Sequence, residues 1–349
     1  EPYEKVFVDP SFLGTTHGYI GCTSCHGGNP DGKTMAAAHV GVNASPSSLA
    51  EQNCTPCHDD VVATYSTSLH ATLRGIENGL CSFTGEANRG KAKEAFDKYC
   101  FKCHATCGTC HVSKPEAANG GLIQGHKFFG TPDQDSTCNA CHGGRVANEL
   151  KGGIEGFPGD VHYEKLGFDC LTCHDGKSFH GDGSEPANRY EAPNKPSCLD
   201  CHPDAESGKG TVEAHNAHPE GTVDCYVCHA TVNKSCYNCH VGEGAQSKVD
   251  FKIGLNTRAD WPYKYSVVRH MPGVSTMLDP FEPGLMAGYD SVPNWKTTMA
   301  HNIQRSTPRN KTCQSCHNNS KVFLTENRLV PGDSKACEDV VVQQLPPRF

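Results

Sequence analysis

Apolar positions along this chain are sparse, and few of them repeat with the period of a regular element. Two stretches do. Val61, Val62, Tyr65 and Leu69 form an apolar face ending at His70. Ala92, Ala95, Phe96 and Tyr99 recur at i, i+3, i+4 and i+7, one face of a helix that would deliver Cys100. Ser48-Leu49-Ala50-Glu51 has the form of a capping box and predicts a helix leading into Cys54. Asn88 is a candidate cap for the second helix. The intervening stretches are rich in Gly, Pro, Asn and Asp, as over 181–195, and predict loops. The expected fold class is a mostly irregular chain with short α-helices and little β-structure.

Composition sharpens this expectation. Hydrophobic residues are 36% of the 349, a share that includes 22 cysteines, and there are 36 Gly and 22 Pro. A chain this polar, with a mean hydropathy of -0.54, buries too little apolar surface to offset the cost of ordering its backbone. Something other than side chains must supply the core. The formal charge of -8 leaves no basic footprint for nucleic acid. No stretch approaches the ~18 consecutive apolar residues of a membrane span. The start at Glu1-Pro2, without a Met, suggests a mature, processed protein. The cysteine content excludes an ordinary cytosolic enzyme.

Twenty of the 22 cysteines fall into ten Cys-x-x-Cys-His motifs. The first three are Cys22, Cys25 and His26, then Cys54, Cys57 and His58, then Cys100, Cys103 and His104. The fourth is Cys107, Cys110 and His111, the fifth Cys138, Cys141 and His142, the sixth Cys170, Cys173 and His174. The seventh is Cys198, Cys201 and His202, and the eighth Cys225, Cys228 and His229. Cys236, Cys239 and His240 make the ninth, and Cys313, Cys316 and His317 the tenth. Chance predicts on the order of 0.1 such motif in the chain. Two thiols three positions apart can form thioethers to the two vinyl groups on one edge of a haem, and the next residue, His, reaches the iron as proximal ligand. Zinc also uses Cys-x-x-Cys pairs, but a zinc site has no need of a His after every second Cys. The expected cofactor is therefore ten covalent c-type haems.

Ten further histidines remain: His17, His39, His70, His126, His162, His180, His215, His218, His270 and His301. They equal the haems in number, which predicts bis-His coordination throughout. The bland reading leaves some of them as ordinary surface histidines. Haems this closely spaced, one per about 35 residues, must nearly touch, so electrons can hop between them, and their porphyrins replace the missing apolar core.

The motifs divide the chain into a two-haem segment (1–80), a seven-haem central region (81–245) and a haem-poor C-terminal part (246–349) that wraps back over the haems or forms a small domain of its own. Only Ala105 and Thr106 separate the third and fourth motifs, and six residues separate the eighth and ninth, so both pairs are expected neighbours. Cys81 and Cys337 belong to no motif and are most simply one disulfide, or else two buried thiols. The segment Val8–Tyr19 has little to pack against locally, so its His17 could serve a second copy of the chain as readily as its own.

The ten motifs and spare histidines resemble periplasmic and cell-surface multihaem c-type cytochromes of bacteria and archaea that respire metals or other extracellular acceptors. The segment Cys100–Pro115 and the stretches Tyr263–His270, Trp295-Lys296 and His301–Arg305 resemble a subgroup of them. The resemblance implies electron transfer without catalysis. It implies an extracellular, cell-surface or periplasmic location, because haem is attached after export. Redox proteins or mineral acceptors would be the partners, and a head-to-tail filament is one assembly such proteins use. It also raises a rival, the multihaem nitrite, hydroxylamine and tetrathionate enzymes. Their commonest mark, Cys-x-x-Cys-Lys, does not occur here.

Overall fold

The computed structural model describes residues 1–100, 104–234, 246 and 250–348. Short helices and irregular segments dominate, with one small sheet. The longest helices among the described residues are α1 (Thr55–Tyr65), α2 (Arg74–Thr84) and α3 (Arg89–Tyr99). The chain divides into two compact units that interleave in sequence. The first comprises Glu1–Gly75, Cys100–Gly143 and His174–Asn194, and the second Ile76–Tyr99, Gly144–Cys173 and Lys195–Phe349.

The two periodic stretches form helices, with corrections. On α3, Ala92, Ala95 and Phe96 are buried while Tyr99 is exposed. Asn88 ends the short turn Glu86–Asn88 that runs into α3, and its side-chain amide donates back to Thr84 O (2.9 Å). On α1 only Val62 is buried, and Val61 faces solvent. The chain leaves helical geometry at His58 (φ -130°, ψ 39°), where the second motif's turn ends. His70 lies on a separate turn, Leu69–Thr72, capped by Ser68. The capping box at Ser48 does not form. Ser48 donates to Ser45 O (2.7 Å), and the turn Ala50–Asn53 starts without a side-chain cap.

The first unit holds its N-terminus through backbone bonds. Leu122 N–H donates to Lys5 O (2.7 Å) and Asp9 N–H to Gly125 O (2.9 Å). Phe12 is buried with its ring 4.4 Å from His126 and 6.3 Å from Phe128. Val8, Leu13 and Tyr19 stay exposed, so what holds this segment is distant in sequence, at 122–128, and not local.

The second unit contains an antiparallel sheet of β1 (Phe251–Leu255), β2 (Tyr265–His270) and β3 (Trp295–Thr297). Ile253 pairs with Val267, and His270 with Trp295. From Ser266 to His270 every residue of the central strand is buried, so neither of its faces meets water. One apolar cluster joins Val268, Trp295, Leu324, Cys337, Val340 and Val341, and a second joins Val227, Ile253, Val267, Phe323 and Val342. Gly254 lies where a Cβ would come within 3 Å of the Val268 and Val340 side chains, so only glycine allows the last segment to pack on the strand.

Cys81 and Cys337 are both buried and form no disulfide, which corrects the expected bridge. Cys337 Sγ instead accepts the Asn294 N–H (3.1 Å) and lies 3.6 Å from Ser334 Oγ. Buried thiols of this kind pack as small hydrophobes.

Candidate haem-binding sites

Cys22–His26, Cys107–His111, Cys138–His142 and Cys225–His229 are each one helical turn that begins at the first cysteine. Cys170–Cys173 and Cys198–Cys201 begin the same way, and Cys313–Ser315 is a tighter turn. Positions i, i+3 and i+4 of a helix share a face, so the turn presents both thiols and the imidazole to one side. The residue before the first cysteine starts the turn. Thr106 accepts from Thr109 N–H (3.3 Å) while Thr109 Oγ1 accepts the Thr106 N–H (2.8 Å). Ser197 accepts from Leu199 N–H (3.2 Å), Asp224 from Tyr226 N–H (3.1 Å) and Asp169 from Thr172 N–H (2.9 Å). Thr312 and Ser315 form a further capping box. Sequence reasoning placed a cap at Ser48 and missed these. Their signal was a Ser, Thr or Asp directly ahead of six of the ten motifs, at 106, 137, 169, 197, 224 and 312, with a seventh at Ser235 outside the described residues.

The second motif departs from this common turn. Cys54 precedes α1, Cys57 lies inside it, and the helix breaks at His58. The motif cysteines differ in exposure. Cys25 is half-buried, Cys57 and Cys141 are exposed, and none of the three forms a disulfide. A one-turn motif presents its cysteines away from its own backbone, so their burial depends on which segments cross that face.

Among the described residues, motif histidines face spare histidines across seven gaps. Ring centres are 6.2 Å apart for His58 and His17, 5.9 Å for His26 and His126, 6.4 Å for His142 and His70, and 6.2 Å for His111 and His180. They are 6.0 Å apart for His202 and His162, 6.1 Å for His229 and His215, and 6.2 Å for His317 and His218. A metal–imidazole bond of about 2.0–2.1 Å, plus about 1.1 Å from nitrogen to ring centre, sets two rings trans on one metal about 6.3 Å apart. These seven pairs fit that span, and every one joins a motif histidine to a spare one. Among the described residues, no three His, Cys, Asp or Glu side chains cluster as a metal-ion site. Opposed imidazoles suit a metal whose other four positions are already filled, as they are in a porphyrin.

The far nitrogens support this. Nδ1 of His26, His111, His229 and His317 lies 2.6–3.0 Å from the carbonyl oxygens of Asn43, Phe129, Gln304 and Pro347. His162 Nδ1 lies 3.0 Å from Asp160 Oδ1. Holding Nδ1 this way fixes the ring and leaves Nε2 for the metal. Burial, then His142 and His174 nearby, push His70 down to about 4, so its imidazole is neutral near pH 7, the form that ligates.

His39 is exposed, and His174 has its ring 5.9 Å from Phe179. His270 is buried, with Nε2 2.7 Å from Asp333 Oδ1 and its ring 5.1 Å from Trp295. His301 donates its N–H to the buried carboxylate of Glu149 (2.9 Å), which also accepts Lys234 N–H (2.6 Å). Burial pushes Glu149 up. His104 is half-buried. Cys103, Cys236, Cys239 and His240 lie outside the described residues, and with them the expected neighbourhood of the eighth and ninth motifs.

Thiols of different motifs also meet. Burial, then Cys107 and Cys25, push Cys54 up to about 11. Burial and then Cys138 do the same to Cys110, with Cys141 adding to the rise, and burial and then Cys316 to Cys228. Cys198 is raised by its hydrogen bond with Cys225. Hydrogen bonds thus join the second motif to the fourth, at Cys54 and Cys107, and the seventh to the eighth, at Cys198 and Cys225.

No family model matches the chain, and no solved structure does. The chain is 28% identical over 137 residues to a C-type polyheme cytochrome, OmcC, of Geobacter sulfurreducens, a match covering 35% of this chain. It spans 16% of that relative's length. Together with cysteines set on helical turns at Cys-x-x-Cys-His spacing, this distant likeness is consistent with a multihaem c-type cytochrome.

Proposed function

We propose that this protein is an electron carrier with ten covalent c-type haems, each held by a motif histidine and a second axial histidine. The seven mixed histidine pairs at 5.9–6.4 Å carry this reading. Haem supplies the redox change, and the protein supplies attachment, axial ligands and close spacing. Electrons pass by hopping between adjacent haems, and no substrate is turned over. Because haem is attached outside the cytoplasm, the location is extracellular, cell-surface or periplasmic, with redox proteins or mineral acceptors as partners. No helix among the described residues is long and apolar enough to cross a membrane. His17 faces His58 of its own chain, which leaves a head-to-tail filament without the ligand first considered for it.

Intact mass under denaturing conditions tests the count: the protein should exceed its 37.6 kDa chain by ten haem masses, and eight or fewer would sink the reading. Spectra should show low-spin iron throughout. A reductase needs one open haem. Stoichiometric binding of carbon monoxide or cyanide at one haem, with steady turnover of nitrite or hydroxylamine, would favour that alternative.

A further inference from the structure

Arg309 is a half-buried cation laced into the eighth motif. Its Nε donates to Val227 O (2.6 Å), inside the motif, and its Nη2 donates to Ala230 O, directly after His229. The guanidinium lies 4.6 Å from the centre of the Phe251 ring. Its own carbonyl oxygen is 3.6 Å from Cys316 Sγ of the tenth motif. Cys228 and Cys316 pack against one apolar cluster. The connection is reinforced by Thr307, which donates to Cys228 O (2.5 Å), and by Gln304, whose carbonyl holds His229 Nδ1 (3.0 Å). No carboxylate among the described residues lies within ion-pair distance of Arg309. Arg145, by contrast, has Glu149 at 3.6 Å.

A partly desolvated charge without a counter-charge is costly, so a fixed cation kept here invites an electrostatic role. We propose that Arg309 sets the redox potential of the two haems attached at the eighth and tenth motifs, through Cys225 with Cys228 and Cys313 with Cys316, holding them above the potential that bis-His ligation alone would give. The sign follows from charge. An electron passing from a neighbouring haem oxidises that neighbour by one charge unit and removes one positive charge from the haem that receives it. A nearby fixed cation stabilises the reduced form and raises the potential. Pairing of the guanidinium with a haem propionate keeps the same sign, because removing Arg309 would then leave that carboxylate uncompensated.

The inference rests on the proposed function, and one experiment separates the two. Holoprotein carrying R309Q is titrated potentiometrically, with optical and electron-paramagnetic-resonance readout and the haem count taken by mass. With ten haems retained, two of them should move to lower potential while the rest of the curve overlays the native one. R309K keeps the charge and should restore most of that shift. If R309Q does not assemble, F251E places a carboxylate beside the guanidinium and should lower the same two haems. An unmoved curve in whichever variant retains its haems would overturn the role of Arg309. So would an equal shift at all haems, or R309K shifting as far as R309Q. A native protein with fewer than ten haems would strike the proposed function instead.

Discussion

The two units carry the cysteines of five motifs each, yet they are built differently. Of the 26 buried apolar residues described, only Phe12, Val62, Val112 and Tyr190 lie in the first unit. The second has a sheet and two apolar clusters around Trp295, Val268, Ile253 and Phe323. If the motifs carry haem as proposed, the first unit would depend on it for a core, whereas the second has a protein core of its own. Motif density alone does not reveal this, because the attachment turn recurs in both.

The largest expected effect follows directly. Without haem attachment, hydrogen exchange should find protected amides in β1, β2 and β3 and none that are slow in residues 1–75. Four buried apolar residues are too few to offset the ordering cost of the first unit. A haem-free chain protected in its N-terminal part, or unprotected throughout, would break the contrast. This amends the expectation from composition, which averages the whole chain and implies that nothing folds without haem.

That averaging shows where sequence reasoning stops. The motifs were legible because attachment is local: two thiols and an imidazole within one turn. How deeply each thiol sits was not, since Cys57 and Cys141 are exposed where Cys54 and Cys138 are half-buried. The pairings were not legible either, because His26 and His126, and likewise His218 and His317, lie about a hundred residues apart in sequence and no local pattern links them. The sheet escaped because β2, buried from Ser266 to His270, shows no alternation and carries Ser266, Arg269 and His270 inside. His270 read as an axial ligand from its residue type alone, and the sequence did not show that its Nε2 would lie 2.7 Å from Asp333 Oδ1.

Two substitutions sharpen the contrast within the second unit. W295A removes a side chain that is 1% exposed at the centre of one cluster and should cost about 3–5 kcal/mol. E149A leaves the N–H groups of Lys234 and His301 and the Arg145 guanidinium without their carboxylate. It should cost a similar about 3–5 kcal/mol, with E149Q recovering part. Denaturant unfolding followed by far-ultraviolet circular dichroism reads both. In either variant the pairs of the first unit, such as His17 with His58, should keep their low-spin spectra. Loss of that signal in step with the sheet would mean the units are not separate in stability.

The smallest effect compares one cap in each unit. Thr106 caps the fourth motif's turn and also bonds Ser47 Oγ (2.8 Å), fifty-nine residues away in sequence. Ser197 caps the seventh motif's turn, and its other bond is local, from its own N–H to Asp200 (2.8 Å). Losing an N-cap costs about 1 kcal/mol, and losing a further hydrogen bond adds about 1 kcal/mol. T106A should therefore lower stability about twice as far as S197A, with T106S close to native. In the first unit, where few apolar contacts are available, that second bond ties the attachment turn to the segment leading into the second motif. The check is the denaturant midpoint of the Soret band, measured on protein with full haem content. Equal losses in T106A and S197A would show that thioether attachment already holds both turns. In that case the tie to Ser47 adds nothing to the first unit's stability.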